Sequence, residues 1–285
     1  MKFFYKILNN LKKYGLINFI KLVIKRISDR YFFYNDFAKL KKKIQNNFKK
    51  FGSIVLHGNY KGLKLNYHQY KNDITFVPKM IGTYEKNVQN KLIELSKKYS
   101  LSVIVNFGAF DGYHALGLLI KKIYKYALLF EINKKSATFL NESIKKNNLE
   151  KKVFLLNKKA NFLDLNTAYP HLFSKKYNDI EKKVVFLVDI EGDEFSLFNA
   201  SNLKYFRNSI LLVEIHDAFV KNKRKVRSFN KFLNKYYVIE RINMNTNYDL
   251  SIKEFNYLSE DERLLTVSEG RPIIMHWIVC YPKFK

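Results

Sequence analysis

The sequence predicts an α/β protein with a doubly wound, mostly parallel sheet and an N-terminal helical extension. Its predicted strands are unbroken runs of Val, Ile, Leu and Phe, which is typical of strands buried on both faces. Between them, apolar residues recur at helical spacing, and this alternation favours a parallel sheet. The first five runs are SVIVNF (102–107), YALLFEI (126–132), VFLLN (153–157), VVFLVDI (184–190) and SILLVEIH (209–216).

Two further strands are predicted near the carboxyl end of the chain. YYVIERI (236–242) follows a helical pattern, and MHWIVCYP (275–282) follows a polar insertion at 243–272. No segment with a clear helical pattern lies directly before the last run, so these two strands are expected to form an antiparallel hairpin. We place one α/β domain at residues 81–285.

Residues 1–80 are predicted to form a basic helical and hairpin extension. The first 50 residues hold 14 Lys and Arg against two acids, so they carry 12 of the net charge of +27. Their apolar residues recur at helical spacing, which predicts basic amphipathic helices. We expect these helices to contact an anionic membrane, or else to pack on the domain or a second subunit. From Ser53 to Val77, short alternating pieces predict a small antiparallel hairpin.

The composition restricts the cellular setting. The single cysteine, Cys280, excludes an internal disulfide framework and fits a reducing compartment. Lys6, Lys12 and Lys13 interrupt the first apolar stretch, so no signal peptide is predicted. We expect a cytoplasmic protein, peripheral at the inner face of a membrane if the extension binds lipid. The positive charge fits an anionic partner, but the codon usage of an AT-rich gene explains it equally well.

The loop after the first strand has the features of a nucleoside site. Open parallel sheets bind ligands beyond the carboxyl ends of their strands. There, Gly108 and Gly112 allow a sharp turn close to a ligand, and 19 residues after Gly112, Glu131 ends the second strand. An acid at that point can accept both hydroxyls of a ribose. Because the spacing is G-x-x-x-G and not G-x-G-x-x-G, a nucleoside without phosphates fits better than a dinucleotide.

Several motifs in order resemble those of known methyltransferases. VNFGAFDGYHALGL (105–118) resembles motif I of the S-adenosylmethionine-dependent enzymes, and LLFEIN (128–133) resembles their ribose-binding strand. VVFLVDIEGDEFSLF (184–198) resembles the D-[IV]-E-G-x-E signature of the FkbM-type family, with similar flanks at 81–88 and 269–277. The resemblance implies a Rossmann-like methyltransferase domain that methylates a hydroxyl of a sugar, nucleotide sugar or glycan precursor.

The resemblance also implies the cofactor, S-adenosylmethionine, and the residues around it. Many methyltransferases begin motif I with an acid, whereas this chain has Asn106, so Asp111, Glu85 or Asp189 is expected to attract the amino group of the cofactor. The implied cofactor residues are Tyr84, Glu85, Asn106, Gly108, Ala109, Asp111, Gly112, Glu131, Ala160, Asn161 and Asp189.

Acidic residues are concentrated after the fourth and fifth strands. Asp189 and Glu191 follow the fourth strand, and Glu214, His216 and Asp217 end the fifth. Because carboxylate oxygens suit Mg²⁺ or Mn²⁺, we expect a cation at Asp189, Glu214 and Asp217. Alternatively, His216 takes a proton from the acceptor, with Asp189 and Glu191 as its catalytic neighbours.

Two neighbouring acids have a simpler explanation. Asp193 and Glu194 lie where a helix is expected to begin, and acids in the first turn stabilise the positive end of a helix.

Two other functions compete with sugar O-methylation. The positive charge favours an RNA methyltransferase. However, the fourth strand ends in Asp-Ile-Glu-Gly and lacks the Asn/Asp-Pro-Pro-aromatic loop that holds a flipped base, so no nucleic-acid partner is expected. The third function is a non-catalytic binding module, which Asn106 favours and Glu131 opposes. The sequence leaves the oligomeric state open.

Overall fold

The computed structural model describes most of the chain, and the sheet lies in the part after Lys50. The described residues are 39–70, 75–168, 183–218, 220, 222–243, 248–269 and 275–283. The chain divides between Lys50 and Phe51, so residues 51–80 belong with the sheet and not with the extension. The helices predicted before residue 39 lie outside the described residues. Within the described ranges, no helix is long and apolar enough to cross a membrane.

In the described part of the chain, seven strands form one sheet in the order β3-β2-β1-β4-β5-β7-β6. Strands β1 to β5 are parallel, whereas β7 is antiparallel to both β5 and β6. This confirms the doubly wound, mostly parallel α/β fold and the antiparallel terminal pair. The strands are β1 (Val103–Phe107), β2 (Tyr126–Phe130), β3 (Val153–Leu156), β4 (Val184–Val188), β5 (Ile210–Ile215), β6 (Tyr237–Ile242) and β7 (His276–Pro282).

The helices bury apolar stripes, as their spacing predicts. In α5, for example, Ala137, Leu140 and Ile144 are buried while its lysines remain exposed. The described helices are α1 (39–48), α2 (Phe76–Ile81), α3 (Lys86–Tyr99), α4 (Tyr113–Ile120), α5 (Lys134–Lys146), α6 (Leu163–Ala168), α7 (Glu194–Leu197), α8 (Leu203–Phe206), α9 (Lys223–Tyr236) and α10 (Glu260–Val267). The strand order reverses between β1 and β4, so a ligand site is expected at the carboxyl ends of these two strands.

Aromatic packing fixes the ends of the central strands. The ring of Phe107, the last residue of β1, lies 4.9 Å from Phe130 at the end of β2 and 5.2 Å from Phe162 after β3. All three rings are buried, and edge-to-face contacts of this kind add to the free energy gained by burial. The loops after β1, β2 and β3 therefore start from one rigid cluster.

The predicted hairpin region is only partly a hairpin. Ile54 and Lys64 form an antiparallel bridge, so the first half turns back on itself as expected. The segment ITFV (74–77) was predicted to be extended, but its last two residues, Phe76 and Val77, begin α2. Pro78 lies in the first turn of this helix, where its missing N–H costs no hydrogen bond, and Gly82 ends the helix at φ 80°. The alternation in so short a segment fits either structure.

Gly117 provides a test of the packing around α4. A Cβ at this position would lie 2.3 Å from Cγ of Tyr60, a fully buried ring. Replacing Gly by Ala inside a helix normally stabilises it by up to about 1 kcal/mol. Here, we expect Gly117→Ala to lower the free energy of unfolding by about 1–3 kcal/mol in chemical denaturation, because the core becomes overpacked. The double variant Gly117→Ala/Tyr60→Leu should lose less free energy of unfolding than the sum of the losses in the two single variants. Additive losses would contradict this packing.

Candidate functional site

A cavity of about 580 Å³ opens where the sequence predicted the site, and its volume is typical of small-molecule sites. Its walls come from α2 and from the loops after β1, β2, β3 and β4. Of the predicted residues, those that line this cavity are Tyr84, Gly108, Glu131, Ala160, Asn161, Asp189 and Glu191.

A smaller recess of about 50 Å³ shares part of this wall. Residues common to the cavity and the recess are Lys79, Tyr84, Gly108, Phe110 and Asp189. The recess adds four more of the predicted residues, Glu85, Asn106, Ala109 and Asp111. Gly112 lines neither space: it precedes α4 at φ 71°, and a Cβ there would lie 2.6 Å from a methyl group of Leu140.

Gly108 holds the loops after β1 and β4 against each other. Its φ is +79°, and a Cβ at this position would lie 1.7 Å from the carbonyl oxygen of Asp189. The amide of Asp189 donates to the carbonyl of Phe107 at 3.0 Å, and the amide of Gly108 donates to Phe130 at the same distance. Only glycine fits here, and the loop is fastened to both neighbouring strands.

Glu131 presents a fixed carboxylate to the cavity. One oxygen accepts the amide of Phe110 and the other accepts the amide of Asn133, both at 2.7 Å. The residue is only 6% exposed. Because each carboxylate oxygen has two lone-pair directions, one acceptor direction on each oxygen remains available to a pair of hydroxyl groups.

Three non-glycine residues with a left-handed backbone conformation lie around the cavity and the recess. Glu85, Phe110 and Glu191 have φ values of 45°, 46° and 53°, in the left-handed region that non-glycine residues seldom adopt. All three line one of the two spaces. Strained residues of this kind cost free energy and are enriched at functional sites.

Lys79, a buried cation of the site, was not predicted from the sequence. Lys79 is 3% exposed, and its ammonium forms an ion pair with Asp111. The same carboxylate accepts the hydroxyl of Tyr70 and, at 2.9 Å, the amide of Tyr113. Asp111 is therefore already neutralised within the protein. A lone charge within the apolar run FVPKMIG (76–82) was the signal in the sequence.

Glu85 is also occupied by protein groups. His114 Nε2 lies 2.7 Å from one of its oxygens, and the indole N–H of Trp277 donates to the other at 3.3 Å. The side-chain amide of Asn106 donates to the backbone carbonyl of Leu187, so this side chain links β1 to β4. Of the three acids expected to attract the cofactor's amino group, Asp189 has the most exposed side chain, at 35%, although its Oδ1 atom is buried.

His216 lies behind Asp189, at the centre of four carboxylates. Its Nε2 is 3.5 Å from oxygens of Asp189 and Glu214 and 3.6 Å from Glu191, and its Nδ1 is 3.3 Å from Glu194. Burial lowers the pKa of His216, but the neighbouring carboxylates, above all that of Glu194, raise it by more than burial lowers it. The net shift of the pKa is therefore upward. Since His216 is completely buried and does not line the cavity, it reaches the cavity only through Asp189.

The same centre offers ligand atoms for a cation. Atoms of Asp189, Glu214 and His216 all lie within 4.8 Å of one another. Neighbouring ligands about 2.1 Å from one ion are separated by about 3.0 Å at octahedral angles and about 3.4 Å at tetrahedral angles, and the spacings around His216 are 3.5 Å. Asp217, the third expected ligand, is not part of this cluster; its carbonyl accepts a hydrogen bond from Lys223.

Solved structures with a similar arrangement include an O-methyltransferase from Bacillus cereus in complex with SAH (12% identity, 69% of this chain and 80% of that chain, TM-score 0.43). An rRNA methylase from Streptococcus thermophilus is also similar (9% identity, 69% and 95%, TM-score 0.44). At these identities, no activity of this chain follows from theirs. No family model and no curated protein matches the sequence, so the FkbM-type resemblance stays a prediction.

Glu194 and Asp193 form a matched pair for testing the centre. Glu194 is fully buried, and its carboxylate accepts the amides of Gly192 at 2.8 Å and His216 at 3.0 Å. Asp193 instead pairs with Lys159 at the surface. We expect Glu194→Gln to lower the free energy of unfolding by about 1.5–3 kcal/mol and Asp193→Asn by less than about 1 kcal/mol in denaturant titrations. Equal losses would show that both acids merely stabilise the start of α7.

Proposed function

We propose that this protein transfers a methyl group from S-adenosylmethionine to a hydroxyl of a sugar, nucleotide sugar or glycan precursor. The observation that carries the proposal is Glu131, a buried carboxylate at the end of β2 that is oriented by two amides and faces a cavity of ligand size. The glycine loop beside it is fastened to β2 and β4.

The lining of the cavity fits the parts of this cofactor. Glu131 would accept the ribose hydroxyls, and apolar groups of Ile132, Ala160 and Ile190 would contact the adenine. The recess would take the methionine part. When bound, the cofactor supplies an electrophilic methyl group on a positively charged sulfur. The protein then has to align an acceptor oxygen and exclude water.

Asp189 is the group best placed to take a proton from the acceptor. It lines both the cavity and the recess, and burial together with the neighbouring Glu214 raises its pKa well above the ordinary value. A carboxyl group with a raised pKa is a stronger base than an ordinary carboxylate. His216 would position Asp189 from behind, and Glu191, whose side chain is 77% exposed, would contact the acceptor.

The charge at this edge disfavours nucleic acid as the acceptor. Asp189, Glu191 and Asp193 all line the cavity, and a phosphate backbone would be repelled by them. Mass spectrometry of glycans from cells with and without the gene tests for a missing methyl group. A parallel assay on tRNA tests the rival enzyme. If the protein does not bind S-adenosylmethionine, the remaining candidate function is the non-catalytic binding module.

The first prediction of the proposed function concerns Glu131. Glu131→Gln should weaken binding of S-adenosylhomocysteine about tenfold or more in calorimetric titration, because it loses charge-assisted hydrogen bonds to the ribose. Glu150→Gln, which alters an exposed acid, is the control and should leave affinity unchanged. Unaltered affinity in the Glu131 variant would rule out this ribose site.

The second prediction concerns a divalent cation at Asp189, Glu214 and His216. Four carboxylates around one imidazole leave an excess of negative charge. A mixed oxygen and nitrogen set suits Mn²⁺ better than Mg²⁺. Chelator-treated protein should bind about one Mn²⁺, measured by electron paramagnetic resonance, and Glu214→Gln should weaken this binding about tenfold or more. Full methyl transfer by protein shown to be metal-free would eliminate the cation and leave Asp189 as the base.

A further inference from the structure

Lys79 is a buried cation at the boundary between the two spaces of the site. It lines both the cavity and the recess. Its ammonium lies 4.5 Å from the ring centre of Tyr84 and 5.1 Å from that of Tyr70, in addition to its ion pair with Asp111. The side chain projects from α2, which precedes the motifs of the resemblance.

The ion pair alone does not explain why a lysine is buried here. Removing the two charges from water costs several kcal/mol for each charge. A pair of apolar residues of similar volume often makes a protein at least as stable as a buried ion pair does. Asp111 also accepts hydrogen bonds from Tyr70 and Tyr113. An ammonium has three N–H donors, and in the described part of the chain Asp111 is the one carboxylate that this ammonium contacts. Lys79 therefore has donors left for a second anion.

The charged groups around Lys79 indicate that this second anion would belong to a ligand in the cavity and the recess. The other lysines that line the cavity, Lys158 and Lys159, are 47% and 66% exposed and pair with Asp164 and Asp193. In the recess, His114 contacts Glu85. Of the described side chains, Lys79 is thus the cation shared by the cavity and the recess, where Glu85, Asp111 and Asp189 would otherwise repel a negative group.

We propose that Lys79 binds the α-carboxylate of the methionine part of the cofactor. Lys79 then acts as a positioning residue that selects nucleosides bearing an amino acid over nucleosides that lack its carboxylate. The inference rests on the proposed function, because it assumes that an adenosyl group lies at Glu131. The rings around Lys79 hold the ammonium in place by cation–π contacts, so little side-chain freedom is lost when the carboxylate binds.

Two ligands that differ in one carboxylate test this inference. S-adenosylhomocysteine has the complete amino acid, and its decarboxylated analogue has a 3-aminopropyl chain on the same thioadenosine. Calorimetry on the full chain gives the ratio of their dissociation constants. The variant Lys79→Met/Asp111→Asn removes both charges, so neither is left buried without its partner. Lys91→Met, a change to a lysine paired with Glu94 and Glu240, is the control.

We expect the wild type and the control to bind S-adenosylhomocysteine about 10–100-fold more tightly than the analogue. In the double variant, the ratio should fall to within about threefold of unity, with the affinity for the analogue little changed. Thermal denaturation confirms that the variant is folded. If the ratio of dissociation constants in the double variant equals that of the wild type, the assignment is wrong. If both affinities also fall by the same factor, Lys79 and Asp111 have a structural role. If the wild type binds neither ligand, the proposed function itself is wrong.

Discussion

The contact between Gly108 and the backbone of Asp189 is the constraint on which the site depends. No side chain fits at position 108, because a Cβ would overlap the carbonyl oxygen of Asp189. This closeness lets the loop after β4 lie beside the loop after β1 and places Asp189 in the wall of the cavity. Two residues further along the first loop, the amide of Phe110 orients Glu131. One short loop thus connects the ribose side of the proposed site to its acceptor side.

Charge is arranged at the site in buried groups that the net charge does not reveal. The chain carries +27 overall, yet the edge formed by β4 and β5 is acidic. Lys79 and Asp111 hold opposite charges close together, His114 lies against the carboxylate of Glu85, and His216 lies among four carboxylates. Buried ion pairs add little to stability on balance, but they fix side-chain positions. Their concentration around two adjoining spaces fits a site that has to orient a polar ligand.

The sequence predicted most of the fold and several of the residues that line the cavity and the recess, and the reasons are local. Parallel strands buried on both faces are continuous apolar runs, so β1 and β4 and the polar residues that follow them can be identified directly. The insertion of β7 between β5 and β6 depends on long-range pairing and leaves no local pattern. The partnership of Lys79 with Asp111 likewise joins residues 32 positions apart. Glu194 is an acid of the first helical turn, as predicted, but its contact with His216 comes from tertiary packing and has no local pattern.

The central claim is that an adenosyl cofactor binds at the carboxyl ends of β1 and β2. A crystal structure of the full chain with S-adenosylhomocysteine tests this most directly. The account predicts both ribose hydroxyls within about 3 Å of the carboxylate oxygens of Glu131, with the adenine against Ile132 and Ala160. A ligand bound elsewhere, or a ribose that makes no contact with Glu131, would contradict it.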